Sequence, residues 1–128
     1  MREPTDLERA INAFAASPNG GLIAVSNPQV GIHRALVIAL AARHRLPAVY
    51  FDSYFVAEGG LVSYGPDEAE EFSSAAGYVD RILRGEKPGD LPVQFPTKFE
   101  MLVNRSTAKA LGLAVPPSIM LRATEVIE

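Results

Sequence analysis

Leu22-Ile-Ala-Val25, followed by Ser26-Asn-Pro28, is the stretch whose reading decides the fold. Four apolar residues in an unbroken run read as a strand covered on both faces. Pro28 cannot continue such a strand, so the chain must turn there. Downstream, residues 29–45 carry Val30, Ala35, Leu36, Val37, Ile38, Leu40 and Ala41, the pattern of a largely buried helix. Pro47-Ala-Val-Tyr-Phe51 is the next strand, closed by Asp52-Ser53, and a helical turn is expected over Tyr54–Ala57 before Gly59-Gly60. Leu61-Val-Ser-Tyr64 is a third strand, broken by Gly65-Pro66. A helix then runs from Pro66 to Gly85, with Asp67, Glu68, Glu70 and Glu71 at its positive end and Gly85 past its last turn. Phe99-Glu-Met-Leu-Val103 is a fourth strand, Asn104 starts a short helix reaching Gly112, and Pro116-Pro117 opens a last apolar-acidic segment. Upstream, Thr5 or Asp6 caps a helix to about Ala16, and Ser17-Pro-Asn-Gly-Gly21 ends it.

Strands alternating with helices predict an α/β fold: an open, mainly parallel sheet with flanking helices. In such sheets ligands bind beyond the carboxyl ends of the strands. Three strand ends carry polar residues, which makes Ser26, Asn27, Asp52, Ser63 and Tyr64 the candidate ligand-binding set. Each has a plain structural alternative. Ser26 and Asn27 either cap the turn before Pro28 or present a donor–acceptor pair to a ligand amide or carboxylate, and the two roles are compatible. Asp52 caps the following turn or holds a ligand ammonium. Tyr64 stacks on a ligand or packs where the chain leaves the sheet.

Composition narrows the function classes. With 128 residues, 48% hydrophobic and 21% charged, the chain reads as a single ordered domain. A net charge of −3 with no basic run argues against nucleic acid. The absence of cysteine excludes disulfides and thiol chemistry. No apolar stretch is long enough to span a membrane, and Met1-Arg-Glu-Pro-Thr-Asp6 does not read as a signal peptide. His33 and His44 lie about three helical turns apart and cannot share a metal. Neither a dinucleotide nor a Walker glycine pattern is present. Ser106 and Ser118 lack a His–Asp set, and the acids after Pro66 read as a solvated helix face. No catalytic residue, metal or cofactor is therefore expected, and the chain is not expected to be an enzyme.

Tyr78-Val-Asp-Arg-Ile-Leu-Arg-Gly-Glu-Lys-Pro-Gly-Asp-Leu-Pro-Val93, Pro96-Thr-Lys-Phe-Glu-Met-Leu-Val-Asn104 and Thr107-Ala-Lys-Ala-Leu-Gly-Leu-Ala-Val-Pro-Pro-Ser118 together resemble the carboxyl-terminal end of a family of ABC-transporter substrate-binding proteins, the group with tryptophan- and tyrosine-type members. Ala41-Ala-Arg-His-Arg-Leu-Pro-Ala-Val49 and Gly59-Gly-Leu-Val-Ser-Tyr-Gly-Pro66 are similar to its helix-to-strand junction and to the strand entering its hinge. The resemblance implies one lobe of a type I periplasmic-binding-protein fold, in which two lobes clamp a small solute by hinge closure. Residues 1–64 would be the second-lobe core without its first strand. Residues 65–95 would be the hinge-crossing helix and loop, and residues 96–128 the returning strand and terminal helix. The implied function is solute binding for an ABC import system, with a small polar or amino-acid-like ligand, a permease partner and a periplasmic location. The first lobe would be missing from this chain. The rival expectation is a non-catalytic oligomeric module: without a first lobe, the apolar side of the Pro66–Gly85 helix favours a homodimer.

Overall fold

A computed structural model describes residues 4–128. The reading of the first three residues as outside any signal peptide lies beyond the described part. The element order is α1 (Pro4–Phe14), β1 (Leu22–Ala24), α2 (Pro28–Ile32), α3 (Arg34–Arg43), β2 (Ala48–Tyr50), α4 (Ser53–Ala57), β3 (Val62–Pro66), α5 (Glu68–Leu83), a 3-10 turn (Pro88–Asp90), β4 (Phe99–Asn104), α6 (Arg105–Ala110), α7 (Pro117–Met120) and β5 (Glu125–Ile127). The five strands form one sheet in the order β1-β2-β3-β4-β5. Pairings β1–β2, β2–β3 and β4–β5 are parallel. The described residues divide into two compact units, one holding residues 4–65 and 101–128, the other residues 66–100.

In the first unit the core clusters at β1 and β2 lie on one face of the sheet, whereas Leu102 and Val103, successive in β4, are both buried. Val37 and Ala41 of α3 pack with Ala48 and Tyr50 of β2 and Phe55 of α4. The Tyr50 and Phe55 rings stack at 4.8 Å, and Phe51 meets Phe55 edge-on at 5.2 Å. A neighbouring cluster joins Ile11 of α1 to Leu40 and Leu46. Burial pushes the Tyr50 phenol up to about 12, because a phenolate there would lose its hydration.

The structure corrects several expectations. β1 is not covered on both faces: Leu22 and Ala24 pack on the core, whereas Ile23 is 80% exposed. Val49, its register partner on the interior strand β2, is exposed as well, because the helices packed on these two strands cover the Leu22, Ala24, Ala48 and Tyr50 face. The expected helix over residues 29–45 is two helices, interrupted at His33 (φ −101°, ψ 23°), just after Gly31, whose conformational freedom weakens the first segment. β3 continues to Pro66, so Ser63 and Tyr64 stand inside the strand rather than ending it. Pro66 precedes α5 instead of opening it, and Asp67 is the cap, its carboxylate accepting from Ala69 N and Glu70 N. β5 is a fifth strand within the last apolar-acidic segment, paired to β4 from Leu102↔Glu125 to Asn104↔Ile127.

In the second unit, α5 keeps no buried residue. Its amino end is tied to the segment before β4. Asp67 N–H donates to the Lys98 carbonyl at 3.0 Å, and Lys98 Nζ reaches Asp67 Oδ2 at 2.5 Å. The Lys98 ammonium and the helix amides hold the Asp67 carboxyl below its usual range, and Asp67 raises Lys98 in turn. At the other end Gly85 takes φ +104°, the left-handed conformation that closes a helix.

Candidate functional site at the carboxyl edge of the sheet

The parallel register fixes which residues share an edge. Ala24, Tyr50 and Ser63 stand level across β1, β2 and β3. One step further along lie Val25, Phe51 and Tyr64, and one step beyond those lie Ser26, Asp52 and Gly65. Ser26, Asn27 and Asp52 therefore gather at the carboxyl ends of adjacent strands, as expected. All belong to the first unit.

Asn27 and Asp52 are built alike. Each is extended (φ −155° and −140°), and each caps the short helix that follows. Asn27 Oδ1 accepts from Gln29 N at 2.8 Å, and Asp52 Oδ1 accepts from Tyr54 N at 2.9 Å. These bonds assign the remaining chemistry. With Oδ1 committed, Asn27 has its Nδ2 amide to donate, so it suits a carboxylate or carbonyl. Asp52 keeps a second carboxylate oxygen and suits a cation. The cap reading and the ligand reading are thus compatible at both residues, because each role uses a different atom.

Ser63 and Tyr64 part company. Ser63 is buried beside Tyr50, its register partner, on the core side of the sheet. Tyr64 stands on the other face and is 53% exposed. Sequence reading missed Gly65 as part of this edge. A side chain there would bring a Cβ to 2.1 Å from the Phe51 carbonyl oxygen, so the position next to Asp52 must stay bare backbone. The Gly-Pro break at 65–66 is the available signal, and by itself it marks only the end of a strand.

A groove of about 620 Å³ lies elsewhere, in the second unit, lined by Glu70, Ser74, Tyr78, Phe95 and Lys98 among others. Part of its polar lining is engaged, through Lys98 with Asp67 and Thr97 with Glu70 Oε1, while Glu70 Oε2 is buried without a hydrogen-bond partner. The strand edge, where donor and acceptor functions converge, is the better candidate. Among the described residues no group of His, Cys, Asp and Glu is placed to hold a metal ion.

Comparison with known proteins adds the following. A family model described as ABC transporter substrate binding protein matches residues 1–127. No curated protein is a match. Three solved structures share the fold. A conserved domain protein from Vibrio cholerae is 26% identical, with TM-score 0.88 over 98% of this chain and 42% of its own. An ABC domain from Streptococcus pneumonia, in complex with L-Trp, is 20% identical with TM-score 0.85, over 99% of this chain and 44% of its own. The ligand-free, open form of CD0873, a substrate binding protein with adhesive properties from Clostridium difficile, is 20% identical with TM-score 0.67, over 99% and 42%. The chain thus spans less than half the length of these solved proteins.

Proposed function

The chain belongs to the family of ABC transporter substrate binding proteins, and on that premise we propose that its sheet edge is one wall of a solute site for an amino-acid-like ligand. Membership implies a small-molecule ligand and a permease partner. The finer reading is that Asp52 receives the ligand ammonium, Asn27 Nδ2 and Ser26 meet its carboxylate, and Tyr64 offers a ring to an apolar or aromatic side chain. The observation that carries it is the pair of cap bonds at Asn27 and Asp52. They leave one donor and one acceptor at neighbouring strand ends, the complement of a zwitterion. The L-Trp in the pneumococcal structure supports the same ligand class. Ser63 takes no direct part in this reading, because it is buried on the core face.

The solved proteins are more than twice as long as the matched region, so the opposite wall of the site would come from outside this chain. Hinge closure would then bury the solute and present the closed form to the permease of an import system, outside the cytoplasmic membrane. The role is binding without chemistry.

The test is a titration of the chain with L-tryptophan and other amino acids, followed by amide NMR. Shifts should begin at residues 26–29 and 52–54 and extend to Tyr64. Unchanged spectra, or shifts confined to the groove around Glu70 and Tyr78, would overturn the assignment. In a thermal melt, a ligand at 100 times its dissociation constant adds about 2.7 kcal/mol.

A further inference from the structure

We propose that Asn19 is a site of spontaneous covalent modification: its side-chain amide is lost through a cyclic imide closed by the Gly20 main-chain nitrogen, leaving aspartate and isoaspartate in its place. The loop that carries it, residues 15–21, joins α1 to β1 at the amino edge of the sheet. That edge is opposite Asn27 and Asp52, so the proposal does not rest on the solute reading.

The chemistry needs a free carboxamide, a following main-chain amide that no hydrogen bond holds, and no side chain on that next residue to block the approach. The chain has asparagine at positions 12, 19, 27 and 104, and only Asn19 meets all these conditions. Asn12 is bonded through Oδ1 to His44 Nε2 at 2.7 Å, and the Ala13 amide after it lies within α1. Asn27 accepts from Gln29 N and is followed by Pro28, which has no N–H. Asn104 is buried and uses both ends of its amide, accepting from Thr107 N and donating to the Val56 carbonyl. Asn19 is exposed, and its side chain has no hydrogen-bond partner among the described residues. Nor does any group among them accept from the Gly20 amide. Asn19 takes φ +61°, a left-handed conformation that asparagine tolerates. A Cβ on Gly20 would come within 2.8 Å of Phe14 Cε1, so the fold favours bare backbone at the position where the chemistry needs it too.

Once solvent base takes the Gly20 N–H proton, that nitrogen attacks Asn19 Cγ. The new N–C bond closes the imide ring, the Cγ–Nδ2 bond breaks, and the side-chain nitrogen regains a proton and leaves as ammonia. The reacting atoms belong to neighbouring residues, so the step is intramolecular and needs no catalyst. Water then opens the imide. Attack at Cγ restores the main chain and leaves an aspartate. Attack at the Asn19 carbonyl carbon routes the main chain through Cβ and Cγ as isoaspartate. Either product replaces a neutral amide with a carboxylate. The rerouted chain lies just ahead of Leu22, whose N–H donates to the Pro47 carbonyl at 2.8 Å where β1 meets β2.

Incubation of the folded chain in warm, mildly alkaline buffer, followed by isoelectric focusing, tests the proposal. An acidic species should accumulate, displaced from the net charge of −3 by a single further negative charge. Peptide mass spectrometry should place the change at Asn19, as a mixture of aspartate and isoaspartate. Asn12, Asn27 and Asn104 should stay intact over the period in which most of Asn19 is lost. Asn19→Gly keeps a residue suited to positive φ, so it should melt like the parent and yield no acidic species. A parallel incubation in urea reports the unfolded chain. Conversion of Asn19 in urea but not in the folded chain would overturn the proposal, since the fold would then shield the site. Aspartate without isoaspartate, the mark of direct hydrolysis, would overturn it as well, and so would an acidic species that persists in Asn19→Gly.

Discussion

Asp52 carries two separable roles, and a pair of substitutions divides them. Asp52→Asn keeps an oxygen at the Oδ1 position and so keeps the bond to Tyr54 N. Asp52→Ala removes it. An N-cap contributes about 0.5–2 kcal/mol. Here α4 also carries Phe55 and Val56, both buried, so fraying of its first turn loosens the core beneath it. Asp52→Ala should therefore fall in the upper half of that range, about 1–2 kcal/mol, while Asp52→Asn should stay within about 0.5 kcal/mol of the parent. A chain of this size loses roughly 3–6 °C of melting temperature per kcal/mol. Ligand binding should rank the variants differently. A hydrogen bond to a charged group is worth about 1.5–3 kcal/mol, so both changes should weaken amino-acid binding by about 10- to 150-fold. Thermal melts and an NMR titration of the two variants give both readouts. If Asp52→Asn melts as low as Asp52→Ala, the cap argument is wrong. If it melts like the parent and binds like the parent, Asp52 is not the ammonium partner.

Further expectations concern the scaffold. Gly65→Ala should cost about 1–3 kcal/mol in urea unfolding, because the new Cβ meets main chain at Phe51 and backbone must move; a neutral result would mean that β3 is free to shift. Asn104→Ala should cost about 2–4 kcal/mol, since Asn104 both accepts from Thr107 N and donates to the buried Val56 carbonyl. Asn104→Asp, which keeps only the acceptor, should recover part of that loss. Stability should also fall in acid. Asp67 sits below its unfolded carboxyl value, so its contribution is present above that value and is lost as pH drops through the lower folded pKa. Lys98, raised by the same pair, keeps its contribution until pH climbs through its own raised pKa. Lys98→Met should flatten the acid limb of the stability curve, and an unchanged limb would show that the pair is not its source.

The strand–helix alternation was legible because strand, turn and cap residues agree with one another. Leu22–Ala24, Ala48–Tyr50 and Phe99–Asn104 each sit in an apolar run stopped by a polar cap. β5 was not legible, because Glu125-Val-Ile127 is three residues long and gains its identity from the register with β4. The interruption at His33 was hidden for a related reason: the apolar pattern runs across it without changing period. Asn27 and Asp52 were legible as strand ends, since a polar residue closing a buried run must lie at the sheet edge. Ser63 misled because strand length is set by pairing partners: β3 persists past Tyr64 to Pro66. The exposure of Ile23 was equally out of reach, since an apolar run says that cover is wanted and not whether this chain provides it.

The excursion from residue 66 to residue 100 separates β3 from β4, its neighbour in the sheet. Closing a loop of that length costs the unfolded chain about 3 kcal/mol of entropy, and doubling it would add only about 0.6 kcal/mol. The other links between adjacent strands are shorter, so β1, β2 and β3 are expected to associate early, with β4 and β5 joining once the long segment has closed. The weak logarithmic dependence also makes this the point where the chain tolerates length change. A residue inserted between Gly85 and Thr97 should therefore cost little in loop-closure entropy.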